Sequence, residues 1–407
     1  MSNLRERLRR IQEQKYSEQI QITVNKEQRT DNNEYKTNNI EKINKNKEHR
    51  TKNDAHDLSC LINDGWEVCG YKVLKREVNV QSPFNSMNEL PSALPVVIPD
   101  LDRLRCKVSC AKDIPLLEDF VFFDLETTGL SGGSGTVAFL AAFGQVHSSV
   151  LRGKLSRMMR ITQYLLLDYP GQNDFLENVL TCFKNEKSVI VTYNGKCFDS
   201  QILKSMCIMN RINPPEYSHV DLLHPSRRLW KRIIQNCRQS SVETKIIGLD
   251  RIGDISGEFA PDIWFDFIKT GNTERLIQIC DHNKKDIYGL AAIFSAMILI
   301  AQDPFNDLLL FDIELLAMYW RKYIRKNNIK NKNVKLEMIG NELLRYAALM
   351  KYPRAVYYCG YDQMRNKNYA ESLKFINLGL EIFEKDGKLR EKLLRRKERI
   401  ENYLIKK

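Results

Sequence analysis

The sequence predicts a mixed α/β sheet flanked by helices, followed by an all-helical domain of packed hairpins. Three observations carry this. Short apolar runs, such as residues 120–123 and 188–193, come first and then alternate with helical segments. After Pro304 the pattern is wholly helical. Acids recur where the predicted strands end, beginning with Asp124 and Glu126.

Composition bounds the reading. A chain of 407 residues with 43% hydrophobic content has room for several domains and a sizeable core. A formal charge of +12 favours an anionic partner, nucleic acid or a membrane surface. The ten cysteines form no C-x-x-C pair, and the one close pair, Cys106 and Cys110, has no His at zinc-site spacing. Cys182, Cys197 and Cys280 fall in apolar patterns and read as buried thiols of a reducing cytosol. The N-terminus lacks the apolar core of a signal peptide, and no run is expected to reach membrane-spanning length. Residues 290–301 read instead as buried helix.

Taken in order, residues 1–57 form a polar, basic segment too poor in apolar side chains to order itself. Within it, Leu4, Leu8 and Ile11 mark a short amphipathic helix, either a docking element or frayed. Residues 58–118 carry short strands around 66–74 and 78–80, then prolines, and are expected to be an accessory layer. Residues 119–302 hold the main sheet, with strands at 136–146, 162–168, 188–193 and 219–223. Helices are expected at 173–185, from Asp199 to about residue 211, and at 273–300. In the helical part, 303–407, Ala347, Ala348, Gly360, Ser372 and Gly379 fall where paired helices approach closely. The last three fit one tetratricopeptide-like repeat that lacks its Trp. The basic tail, 385–407, reads as a solvated capping helix.

The chemistry lies in three motifs. Asp124-x-Glu126 ends a strand, so both carboxylates share a face and repel unless neutralised. Oxygen ligands alone suit Mg²⁺ or Mn²⁺ better than zinc. Asn194-Gly195-x-x-Phe198-Asp199 sets an acid at a helix start just after a strand. His282-Asn283-x-x-Asp286 places His and Asp one helical turn apart. Each alone has a plain structural explanation: solvated strand-end acids, a tight turn, a surface ion pair. All three in this order point to one site.

That order resembles the DnaQ-like, or DEDD, exonucleases of the ribonuclease-H-like fold, and most nearly the YprB-type ribonuclease-H-like proteins. The resemblance rests on residues 123–133, 192–196 and 221–225, on Arg227-Arg228-Leu229-Trp230, and on His282-Asn283 with Asp286. It covers roughly residues 119–300, and similar proteins carry a helical, tetratricopeptide-like C-terminal part. It implies a 3′–5′ exonuclease in which Asp124, Glu126, Asp199 and Asp286 hold two Mg²⁺ or Mn²⁺ ions and His282 acts as the base. His282 stands four residues before Asp286, the spacing of the family's Tyr branch; the His branch uses five, a place taken here by Asp281. Thr127, Thr128 and Leu130 correspond to the stretch where relatives bring the 3′ nucleotide against the backbone, and Asn194 joins them as a substrate-binding candidate.

Arg227, Arg228 and Lys231, with Arg232 beside them, either neutralise phosphates while Trp230 stacks a base, or form a solvated face over a buried Trp230. Asp221 is an outer acid of the site, a structural cap, or a partner of Arg227. The resemblance thus implies a cytoplasmic nuclease acting on DNA or RNA. Two rivals stand beside it: a non-cleaving nucleic-acid-binding scaffold whose helical part recruits a protein, and a structure-selective endonuclease. Glycoside hydrolysis is excluded because carboxylates two residues apart on one strand are too close for it.

Overall fold

The computed structural model describes residues 57–84, 89–107, 115–129, 135–151, 154–305, 311–327, 333–383 and 387–405. Apart from Asp57, the expected N-terminal segment lies outside them, as do Leu130 and Cys110. The chain divides into two compact units. The first comprises residues up to Leu90, Asp100–His224 and Cys237–Ala296; the second comprises Pro91–Pro99, Pro225–Asn236 and the chain from Met297 onward.

The first unit is built on a mixed seven-stranded sheet. Its strands are β1 (Glu67–Gly70), β2 (Val73–Gln81), β3 (Phe120–Thr127), β4 (Ala138–Leu151), β5 (Lys154–Leu166), β6 (Val189–Thr192) and β7 (Ser218–Asp221), in the order β1-β2-β5-β4-β3-β6-β7. Strands β1 to β5 pair antiparallel, while β3, β6 and β7 run parallel. Most of helix α1 (Pro99–Lys107), all of α2 (Gln172–Leu180), α3 (Asp199–Met209) and α5 (Ala260–Thr270), and most of α6 (Glu274–Gln302) belong to this unit, whereas α4 (Leu223–Trp230) falls to the second from Pro225 onward. Residues 58–118 are not a separate layer as expected. Their strand β2 pairs with β5 over its whole length, from Val73 opposite Leu166 to Gln81 opposite Met158, and extends the one sheet.

Strand β3 lies between β4 and β6 and alternates strictly. Val121, Phe123 and Leu125 enter one core, where Phe123 stacks on Phe143 at 4.9 Å and meets Phe183 edge-on. Phe120 and Phe122 face the other way, onto Phe294 of α6 at 4.9 and 5.8 Å. Gly144, opposite Phe122 on β4, makes this close approach possible, since a Cβ there would stand 2.5 Å from Ile287 of α6. Helix α6 is 29 residues long and apolar enough by composition to cross a membrane, which corrects the expectation that no run reaches that length. Of its most apolar window, 67% is buried inside the protein, so it serves as a core helix.

The second unit contains α7 (Ile313–Lys326), α8 (Val334–Leu349), α9 (Pro353–Arg365), α10 (Tyr369–Ile382) and α11 (Gly387–Ile405). Small residues mark its close contacts, as the sequence spacing predicts. Ser372 donates to the Gly360 carbonyl at 2.7 Å, and a Cβ on Gly379 would stand 2.9 Å from Leu393.

Candidate active site

Asp124 and Glu126 continue the face of β3 that carries Phe120 and Phe122, so they point toward α6. The lengths match. Asp124 lies ~13 Å along β3 from Phe120, and Asp286 lies ~12 Å back along α6 from Phe294. With Phe120 against Phe294, Asp286 arrives at the acids. A register break between Glu126 and Thr127 ends the regular pairing at this point. Ligand atoms of Glu126, His282 and Asp286 lie within 4.8 Å of one another.

Asp199 reaches the same place through β6. After Thr192 the chain turns at Asn194, which is exposed and takes a left-handed conformation with φ 67°. The buried Asp221 carboxylate fixes this turn by accepting the backbone N–H groups of Asn194 at 2.8 Å, Lys196 at 3.2 Å and Leu223 at 3.0 Å. It is a cap. Helix α3 then starts at Asp199, whose charged form the nearby backbone of Asp199 itself and of Leu125 on β3 favours in part.

The acids are electrostatically strained. Burial first, and then the charges of Asp286 and Asp199, push Asp124 well above the usual carboxylate range. Glu126, only 8% exposed, is raised by burial and by Asp124, Asp286 and Asp199. Burial, Asp221 and Asp286 raise Asp199 to about 7. Groups so placed resist ionising together unless a cation joins them.

His282 is held at both ring nitrogens. Nδ1–H donates to Asp254 at 2.8 Å, and Nε2 stands 3.1 Å from Asp286. Burial opposes protonation of the ring, but Asp286 and Asp254 outweigh it and raise its pKa. Burial also lifts Asp254, yet Lys285, 3.0 Å away, and His282 hold its carboxyl below the usual range. Gly257 covers the ring: a Cβ there would come 3.0 Å from Nε2.

Two further networks were missed by the sequence reading. Arg251 bonds Asp286 at 2.5 Å and the fully buried Glu243 at 2.6 Å, and Gln239 ties Glu243 to the Asp286 carbonyl. On the other side, Asn283 donates to Asp124 at 2.8 Å, its own carbonyl accepts from Gln163 at 3.1 Å, and Gln163 accepts from Arg76 at 2.8 Å. Residues 58–118, expected to be an accessory layer, therefore supply the anchor of this relay, Arg76. An isolated polar residue inside a strand pattern, such as Gln163, is the signal that would have found it.

The other candidates are placed less favourably. Thr127 is buried and donates to the Gly129 carbonyl at 2.9 Å, while the Thr128 hydroxyl accepts from Val137 N–H at 2.9 Å. Both hydroxyls brace the turn. Asp281 pairs with Arg76 and Lys284 and takes no part in the acid cluster. Arg227, Arg228, Trp230 and Lys231 belong to the second unit, not to the unit that holds the acids. Trp230 is 0% exposed, which favours the buried reading over the base-stacking one: a buried ring offers no face to a base. Arg228 lies over Tyr319 at 4.9 Å, and Arg232 is paired with Asp312 and Glu314. Arg227 and Lys231 remain exposed.

The oxygen-rich donor set and its unbalanced charge fit hard divalent cations such as Mg²⁺ or Mn²⁺. Residues 121–298 match the model of the RNase H superfamily. The chain is 35% identical over 181 residues to the uncharacterized protein YprB of Bacillus subtilis (strain 168), covering 43% of this chain and 41% of YprB. The match thus spans less than half of that relative. Among solved structures, the chain is similar to the zinc-bound complex of E. coli exonuclease I with single-stranded DNA, at 15% identity and TM-score 0.30, covering 52% of this chain and 44% of that one. It is also similar to E. coli exonuclease I with a dT13 oligonucleotide, at 19% identity and TM-score 0.24, covering 39% and 42%. Likenesses this distant carry no argument about chemistry. The stretch that matches the RNase H superfamily model, residues 121–298, is the one that contains Asp124, Glu126, Asp199 and Asp286.

Proposed function

We propose that this chain is a metal-dependent nuclease that hydrolyses phosphodiester bonds of DNA or RNA and removes nucleotides from a 3′ end. The observation that carries the reading is the convergence of Asp124, Glu126, Asp199 and Asp286, three of them raised by burial and mutual repulsion. Two bound Mg²⁺ or Mn²⁺ ions on these carboxylates would supply the missing positive charge and polarise the attacking and leaving oxygens. The chain's own residues do the rest. Asn283 fixes the Asp124 carboxylate, and Arg251 holds one oxygen of Asp286 while the other faces His282. Asp254, bound to Nδ1–H, leaves Nε2 as the nitrogen that takes the proton of the attacking water. The cytoplasm is the proposed site of action; of the thiols expected to be buried, Cys280 is, whereas Cys197 is exposed, which corrects that expectation.

One observation favours a second reading. Arg251 bonds one oxygen of Asp286 and the His282 ring stands 3.1 Å from the other, so Asp286 has partners without a metal, as in a fold that binds nucleic acid and no longer cuts it. Purified protein incubated with 3′- and 5′-labelled DNA and RNA, with Mn²⁺ or with chelator, separates the two. Mn²⁺-dependent shortening from the 3′ end supports the nuclease. Retained binding with no cleavage in any arm supports the second reading.

A further inference from the structure

The helical unit contains a groove of about 900 Å³ lined by α7, the start of α9, and α11. Its walls are cationic. Lys322, Arg325, Arg354 and Lys392 line it, all are exposed, and their side chains make no ion pair with any described carboxylate. No acidic side chain lines the groove among the described residues. Arg321, also at its wall, is paired with Asp362. Between the cations lies apolar surface from Met318, Phe383 and Leu389.

Unpaired like charges gathered around one cavity repel each other and are relieved by an anion that enters it. Two further features decide which anion. A nucleic-acid strand without sequence specificity is held by bases stacked on aromatic faces. Here the ring of Tyr358 has Arg321 over it at 4.4 Å, and that of Tyr357 has Arg396 at 4.4 Å, so a face of each is already taken. The apolar floor also asks for aliphatic or aromatic side chains, which a phosphodiester backbone does not bring. We infer that this groove binds an acidic peptide segment of a partner protein, with carboxylates on the cationic walls and apolar side chains on the floor. The inference is independent of whether the chain cuts nucleic acid.

The test uses the full chain and three fluorescein-labelled probes followed by anisotropy: a peptide of alternating Glu and Leu, a polyglutamate of equal charge, and oligo-dT. The Glu–Leu peptide should bind more tightly than polyglutamate. The variant Lys322→Glu/Arg325→Glu/Arg354→Glu/Lys392→Glu should lose about tenfold or more in affinity for it, with oligo-dT binding unchanged. If that variant fails a thermal-unfolding check, Lys322→Gln/Arg325→Gln replaces it, with a smaller loss expected. Unchanged peptide binding in a folded variant overturns the inference, as does equal binding of the two peptides. Loss of oligo-dT binding instead would assign the groove to nucleic acid and overturn it equally.

Discussion

Arg251 Nη2 stands 2.5 Å from Asp286 Oδ1, so a residue in none of the sequence motifs holds a candidate metal ligand. The same guanidinium neutralises Glu243, which has no exposed surface. Removing one partner of a buried pair strands the other charge. Arg251→Met should therefore cost about 3–5 kcal/mol in urea unfolding, and adding Glu243→Leu should recover much of it. A loss below about 1 kcal/mol would mean that the pair contributes no more than a surface contact.

A second prediction follows from Asp199, whose carboxyl titrates near about 7 because burial and two neighbouring acids disfavour its charge. Unfolded, it titrates near about 3.9. Above pH 7 both states are ionised, and the folded one alone carries the strain. As pH falls through the folded value the strain is relieved. In chelator at pH 8, Asp199→Asn should be more stable than the parent by about 2–4 kcal/mol, and the gap should narrow as pH falls below about 7, closing only toward the unfolded value of about 3.9. Saturating Mn²⁺ should reverse the order at pH 8. Thermal unfolding across that range, with and without Mn²⁺, checks both signs.

Much of the fold was legible because the information was local. The apolar run before Asp124 and the helix that became Glu274–Gln302 were placed within a few residues. The close-packed Gly360, Ser372 and Gly379 announced the hairpins. What stayed hidden was non-local. Nothing near Val73 says that it pairs with Leu166, and Arg76 and Gln163 look solvent-facing until the sheet and α6 close over them. Arg251 and Asp254 sit in a loop with no periodicity, so their approach to α6 leaves no pattern. The aromatic Trp230 read equally as anchor or core, and only its burial decides.

Asp254 acts through His282, and this makes a third prediction. His282→Ala should lower the single-turnover rate at saturating Mn²⁺ by on the order of 10² to 10⁴, with metal affinity nearly intact. Asp254→Asn should give part of that loss, and the double variant should be no worse than His282→Ala alone. Additive losses would place Asp254 outside the proton pathway.

The exposed basic residues give a fourth. If Arg227 and Lys231 contact phosphates, Arg227→Ala/Lys231→Ala should weaken binding to all sequences alike. It should also flatten the salt slope by about 1.8 on duplex or about 1.4 on single strands. Trp230→Phe should leave nucleic-acid affinity unchanged, because the ring is buried. An altered slope or sequence preference in Trp230→Phe would contradict that.

Metal dependence is the centre of the account, and Asp124 is the residue on which it turns. The direct measurement is the rate of 3′-nucleotide release from a 5′-labelled oligonucleotide, titrated with Mn²⁺, for the parent and for Asp124→Ala. The account predicts no release in chelator, saturable activation by Mn²⁺, and a loss on the order of 10³ or more in Asp124→Ala. Release that persists in excess chelator, or an Asp124→Ala rate within about threefold of the parent, well short of that loss, would contradict it.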